Sequence, residues 1–178
     1  MKILGVDPGS RATGWAVVDF APSPALVGAG VLRPPRTGSF AERLSFLHAG
    51  LIRVIAEGQP DAAALERVFS GVNPQSLIAL GEARGVLLLA LEESGIPAAE
   101  VTPAEIKRAV TGSGGAEKEQ VRRMVGALLG RRLALDAADA AAAALAYGFV
   151  AVRRGATFAA APRDRSSSLA GVRRRPSG

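Results

Sequence analysis

The chain has no cysteine and a single histidine, His48. The first absence excludes a disulfide framework, a zinc–thiolate centre and a thiol nucleophile. The second excludes a multi-histidine metal site. Aromatic residues are 4% of the sequence and lysines number three, Lys2, Lys107 and Lys118, so either type stands out where it occurs. No uninterrupted apolar stretch reaches the roughly 18 residues of a membrane span; the Ala-rich segment 137–152 is weakly apolar and contains Asp139. Asp7 and Arg11 interrupt the apolar start, and no signal-peptide core follows. These absences predict a soluble cytoplasmic protein with no membrane partner.

What is present fits one globular domain: 178 residues, 48% of them hydrophobic, allow a sizeable core. The net charge of +6 is unevenly placed. Residues 153–178 carry seven arginines against one acid, whereas the preceding residues carry fifteen bases and fifteen acids. We therefore expect a domain over residues 1–152 and a basic, disordered tail over 153–178. A basic tail fits an anionic polymer such as nucleic acid, or simply solubility.

Residues 2–7 and 13–19 read as strands joined by a Pro8-Gly9 turn, and 26–33 as a third. Phe40, Leu44, Leu47, Leu51, Ile52 and Ile55 recur at helical spacing. Ala62–Glu66 has the form of a short buried strand ending in an acid, as does the first strand with Asp7. Asn73-Pro74 caps a helix running to about Ser94 that is apolar nearly all round and so needs cover on two sides. Leu77, Leu80, Arg84 and Leu88 fall on or near one stripe of it, predicting a subunit contact there. Residues 96–101 form a fifth expected strand. Thr102-Pro103-Ala104-Glu105 is a capping box. A glycine loop leads into a helix over 117–129, and a last helix spans 136–152. The order implies a mixed five-stranded α/β sheet with helices on both faces.

Asp7 and Glu66 end two expected strands, where open α/β sheets gather ligands. If those strands are adjacent and parallel, the two acids are neighbours. Asp136 and Asp139, three apart, share a helix face near its N-terminus. Four carboxylates without histidine or cysteine form an oxygen-only set suited to Mg²⁺ or Mn²⁺. Two such ions support phosphodiester cleavage. Singly, each acid also has a plain structural reading: Asp7 as a turn cap, Asp136 as a helix N-cap.

The blocks "ILGVDPGSRATGWAVVD", "LERVFSGVNPQSLIALGEARG", "SGGAEKEQVRRMV" and "DAADAAAAALA" resemble, in order and spacing over about residues 2–150, the RuvC family of Holliday-junction resolvases. The resemblance implies a ribonuclease H-like fold, a homodimer, two Mg²⁺ per subunit with Mn²⁺ as substitute, and paired nicking of four-way DNA junctions in recombination and repair. It places the four acidic ligands on Asp7, Glu66, Asp136 and Asp139; in some relatives the third is a histidine. It also implies a junction-migration helicase as partner. Phe69 matches a phenylalanine that stacks on bases, an interaction of about 1–3 kcal/mol. Lys107 and Lys118 fall in family blocks as phosphate contacts, with Arg122 one turn beyond Lys118 and Arg108 and Arg123 as further candidates. A tucked-in Phe69 and a solvated Lys118 face are the plain alternatives. His48, with no acid or serine at a suggestive spacing, reads as structural. The rival functions are a YqgF-type nuclease of the same fold acting on RNA, and a junction-binding module without activity.

Overall fold

A computed structural model describes residues 1–67 and 73–156. Phe69 and the tail arginines Arg163, Arg165, Arg173, Arg174 and Arg175 lie outside the described residues. The elements run β1 (Lys2–Asp7), β2 (Thr13–Asp19), β3 (Ala25–Leu32), α1 (Phe40–Gly58), β4 (Ala62–Glu66), α2 (Pro74–Glu93), β5 (Ala98–Val101), α3 (Pro103–Thr111), α4 (Lys118–Leu128) and α5 (Leu135–Arg153). The five strands form one sheet in the order β3-β2-β1-β4-β5. β1, β2 and β3 are an antiparallel meander, and β4 and β5 continue in parallel from β1. The mixed sheet expected from the sequence is therefore present.

Strand alternation sends side chains to both faces, and each face is covered. Leu4, Val6, Val17, Ala63 and Leu65 pack under α1 and α2. Ile3, Ala16, Val18, Ala62 and Ala64 pack under α3, α4 and α5. The expected capping box of Thr102 with Glu105 forms, and α1 carries a second one, Ser39 with Glu42, that sequence reasoning did not single out. β5 is shorter than the expected 96–101. Gly95, at φ +67°, turns the chain out of α2, and the Ile96 amide donates back to the Leu91 carbonyl, so Ile96 closes the helix. By length and composition α2 and α5 do reach what a membrane span requires, contrary to the sequence expectation. Their apolar surface is used within the domain: α5 is largely buried on the sheet, and α2 buries Ala83, Leu87, Ala90 and Leu91.

The position of α5 follows from what is missing beneath it. Ala140, Ala141, Ala143 and Ala144 are fully buried, and the strand residues facing the helix include Gly5 and Gly14. A Cβ on Gly5 would lie 1.9 Å from the Ala140 carbonyl oxygen, and one on Gly14 would lie 2.0 Å from that of Asp136. Glycine is required at both because helix backbone occupies the side-chain space. α5 thus lies directly across β1 and β2, with its first two turns over the carboxyl end of β1.

The close approach makes a direct prediction. Gly5→Ala has no flexible neighbour to displace, so overpacking should destabilise the domain by about 1–3 kcal/mol or more in a urea melt. Gly126→Ala in α4 meets only an ordinary 3.5 Å contact with the Arg131 carbonyl oxygen. It should be neutral or stabilising by up to about 1 kcal/mol. Equal behaviour of the two variants would contradict the packing account.

Candidate active site at the carboxyl end of the sheet

The parallel register of β1 and β4, Ile3 beside Ala62 through Val6 beside Leu65, leads to Asp7 and Glu66 as the next pair. The turn after Asp7 is held from two directions. Buried Thr13 donates to the Gly9 carbonyl at 2.9 Å and accepts from the Gly9 amide at 3.3 Å. Arg43, from α1, donates to the Ser10 carbonyl at 2.6 Å. Asp139, on the second turn of α5, joins Asp7 and Glu66 in lining a cleft of about 310 Å³ with Arg67, Leu80, Pro103 and Lys118. Glu66 and Asp139 also line an adjoining cleft of about 230 Å³, which receives Lys107.

The electrostatics record crowding of like charge. Burial, then the charges of Glu66 and Asp139, push the Asp7 carboxyl up to about 7, with Asp136 adding to the shift and Lys118 opposing it. Glu66 is also raised, first by burial and then by Asp139, while Lys118 and Lys107 pull it down. Lys118 bonds Asp139 at 2.7 Å, and that bond holds its ammonium above the usual lysine range. Among the described residues, no three carboxylates are already gathered closely enough to enclose an ion. The donor chemistry nonetheless fits a hard divalent cation: carboxylate oxygens only, under-neutralised, with His48 elsewhere, on α1 beside Glu93 at 2.8 Å. Lys118 supplies part of the missing positive charge and is 66% exposed, so displacing it would cost little.

Asp136 is in the first turn of α5 but is not its N-cap, which is Ala134; Asp136 accepts instead from Arg33 at 3.2 Å. Arg122 faces inward, 3.7 Å from Asp139, and its Nε is buried without a partner. Arg108 is exposed beside Gly114. Arg123 lines a separate cleft between α4 and α5. The structure thus brings Lys107, Lys118 and Arg122 to the acids and leaves Arg108 and Arg123 away from both acidic clefts.

The stripe expected on α2 differs. Leu80 faces the acidic cleft, and Arg84 is tied to Glu100 of β5, which also accepts from Arg67 at 2.8 Å. The outward stripe is Ile78, Gly81, Gly85 and Leu89, with Ile78 63% and Leu89 51% exposed. Of the expected stripe, Leu77 is exposed, whereas Leu80 and Arg84 turn away from that face because the sheet contact is centred on Ala83 and Leu87. Reasoning from sequence also missed Arg33 and Arg67. Arg67 directly follows Glu66, but only the fold shows Arg33 reaching Asp136, 103 residues away.

Comparison with known proteins gives a consistent result. Residues 3–147 match the family model described as crossover junction endodeoxyribonuclease RuvC. A protein of that name from Halorhodospira halophila is 50% identical over 148 residues, 82% of this chain and 89% of the relative. One from Azorhizobium caulinodans is 43% identical over 163 residues, 88% of this chain and 96% of the relative. The solved structure of T. thermophilus RuvC in complex with Holliday junction substrate superposes with a TM-score of 0.81 at 32% identity, covering 88% of this chain and 97% of that one. The yeast mitochondrial Holliday junction resolvase Ydc2, at 15% identity and a TM-score of 0.59, shares the fold. With its mixed five-stranded, ribonuclease H-like sheet, the chain belongs to the RuvC family of crossover junction endodeoxyribonucleases.

Proposed function

We propose that Asp7, Glu66, Asp136 and Asp139 are the metal-binding and catalytic carboxylates of this Holliday-junction endonuclease, holding two Mg²⁺ per subunit with Mn²⁺ as substitute. The observation that carries this reading is Asp7, buried among like charges and raised to about 7. A carboxylate kept there is poorly accommodated until a cation joins it. When bound, such ions supply an activated water and charge for the leaving oxygen of a phosphodiester. The chain's own residues do the rest. Asp7 and Glu66 are fixed by paired strands. Asp139 is carried in by α5. Lys107, Lys118 and Arg122 supply positive charge beside the phosphate being cut, and Lys118 moves from Asp139 to that phosphate when the acids are otherwise neutralised. The family match over residues 3–147 favours this reading over an RNA nuclease of the same fold, and the four acids favour it over a binding module without activity. Phe69 as a stacking residue and Arg108 and Arg123 as phosphate contacts belong to the same reading, as does work in the cytoplasm beside a junction-migration helicase.

A four-way junction is nearly twofold symmetric, so two opposed nicks call for two subunits related in the same way. The exposed stripe of α2 is the surface that fits. A Cβ on either Gly81 or Gly85 would meet nothing within the subunit, and Ile78 and Leu89 flank them. This replaces Leu80 as the centre of the contact.

Two variants test these assignments. Asp7→Asn should lose junction cleavage by orders of magnitude while still binding the junction, since phosphate contacts lie on other residues. The same variant has a stability signature. Because Asp7 is raised in the folded state from 3.8 to about 7, its charge penalises folding increasingly through that window and fully above it. In metal-free buffer at pH 8 the variant should melt several degrees above the parent, and the difference should vanish near pH 3. Retained cleavage, or a lower melting temperature at pH 8, would contradict the assignment. For the α2 face, Ile78→Glu should sediment as a monomer, remain folded by circular dichroism, and nick single strands without paired resolution. A dimer that resolves junctions normally would place the contact elsewhere.

A further inference from the structure

The acidic cleft continues into a longer groove on the side away from Lys107. Pro8 and Leu80 line both it and a second cleft of about 610 Å³ between the β1–β2 turn and α2. That cleft in turn shares Arg11 and Arg43 with a third, of about 500 Å³. The third cleft is lined by Arg11, Arg33, Pro34, Pro35, Arg36 and Arg43, with no acid among them. Three segments contribute: the β1–β2 turn, the "RPPR" stretch after β3, and α1. The two prolines, each with its backbone φ fixed, stiffen the segment that carries Arg33 and Arg36 on either side.

The charges of this cleft are only partly answered within the subunit. Arg33 pairs with Asp136 at 3.2 Å. Arg43 donates to the Ser10 carbonyl and lies over the Phe40 ring, 5.5 Å from its centroid. Arg11 and Arg36 are exposed and have no acidic partner among the described residues. Four guanidinium groups around one concavity repel each other and match a polyanion in shape and charge. Lys107 lies on the opposite side of the acids, in the cleft that shares Glu66, Lys118 and Asp139 with them. We propose that Arg11, Arg33, Arg36 and Arg43 form a phosphate-binding track for one DNA strand of the junction, extending from the acids away from Lys107. This rests on the endonuclease reading above. It adds a second anchor, so that the strand to be cut is gripped on both sides of the carboxylates rather than on the Lys107 side only.

Arg33 and Arg43 touch groups that hold the acidic site, so the test uses the other two. An Arg11→Gln/Arg36→Gln double variant, the single Arg36→Gln, and Arg53→Gln on the exposed part of α1 would be compared with the parent. Binding to a fluorescein-labelled synthetic four-way junction would be followed by anisotropy in chelating buffer across a range of salt. The expected result for the double variant is a salt dependence shallower by about 0.9 in log–log slope for each phosphate that is no longer neutralised, and weaker binding at moderate salt. The single variant should show about half the change and Arg53→Gln none. With Mg²⁺ restored, Arg53→Gln should cut the junction at the parent rate. A slope unchanged from the parent, or changed equally by Arg53→Gln, would overturn the track while leaving the endonuclease reading in place. A parent protein that neither binds nor cuts the junction would instead overturn the endonuclease reading.

Discussion

At Gly5 and Gly14 no side chain separates α5 from the first two strands, and helix backbone fills the space a methyl group would need. Three features of the site depend on this contact. It fixes the height of α5 over the sheet, sets which turn of the helix lies above the end of β1, and keeps Asp139 in the lining of the cleft that Asp7 and Glu66 also line. The Ala-rich character of α5 is the same constraint seen from the other side: larger residues at 140, 141, 143 or 144 would lift the helix and withdraw its acid.

Packing of this kind forces together charges that would otherwise separate. Burial and like-charge repulsion act in the same direction on Asp7 and Glu66, and only Lys118 and Lys107 oppose them. The fold therefore holds an electrostatic cost at the carboxyl end of β1 and β4, offset elsewhere by two apolar layers that close both sheet faces. A cation of charge two in that position would relieve the repulsion that the packing creates, and under the proposed reading a phosphate there would have positive charge on both sides of the acids.

Much of this was legible in the sequence because it is written in local signals. The strand–turn–strand opening, the Thr102–Glu105 capping box and the acid at the end of Ala62–Glu66 are short-range patterns. The adjacency of Asp7 and Glu66 was only conditional, since strand order is not local; the parallel β1–β4 register supplies it. A helix apolar all round gives no phase, so spacing alone put Leu80 beside Leu77 on one stripe, whereas Leu77 is exposed and Leu80 lines the groove. The pairing of Arg33 with Asp136 joins residues 103 apart. The arginine-lined cleft combines three segments, of which only "RPPR" is visible as a cluster in the chain.

With its carboxyl raised to about 7, Asp7 would be partly protonated near neutrality, and a divalent cation binding there would displace that proton into the buffer. Calorimetric titration of the protein with Mg²⁺ at pH 7, repeated in buffers of different ionisation enthalpy, counts the protons released. The account predicts about half a proton or more from each subunit on binding, decreasing toward pH 9, and a clear reduction in Asp7→Asn. Binding heats independent of buffer, with no protons released at pH 7, would contradict it.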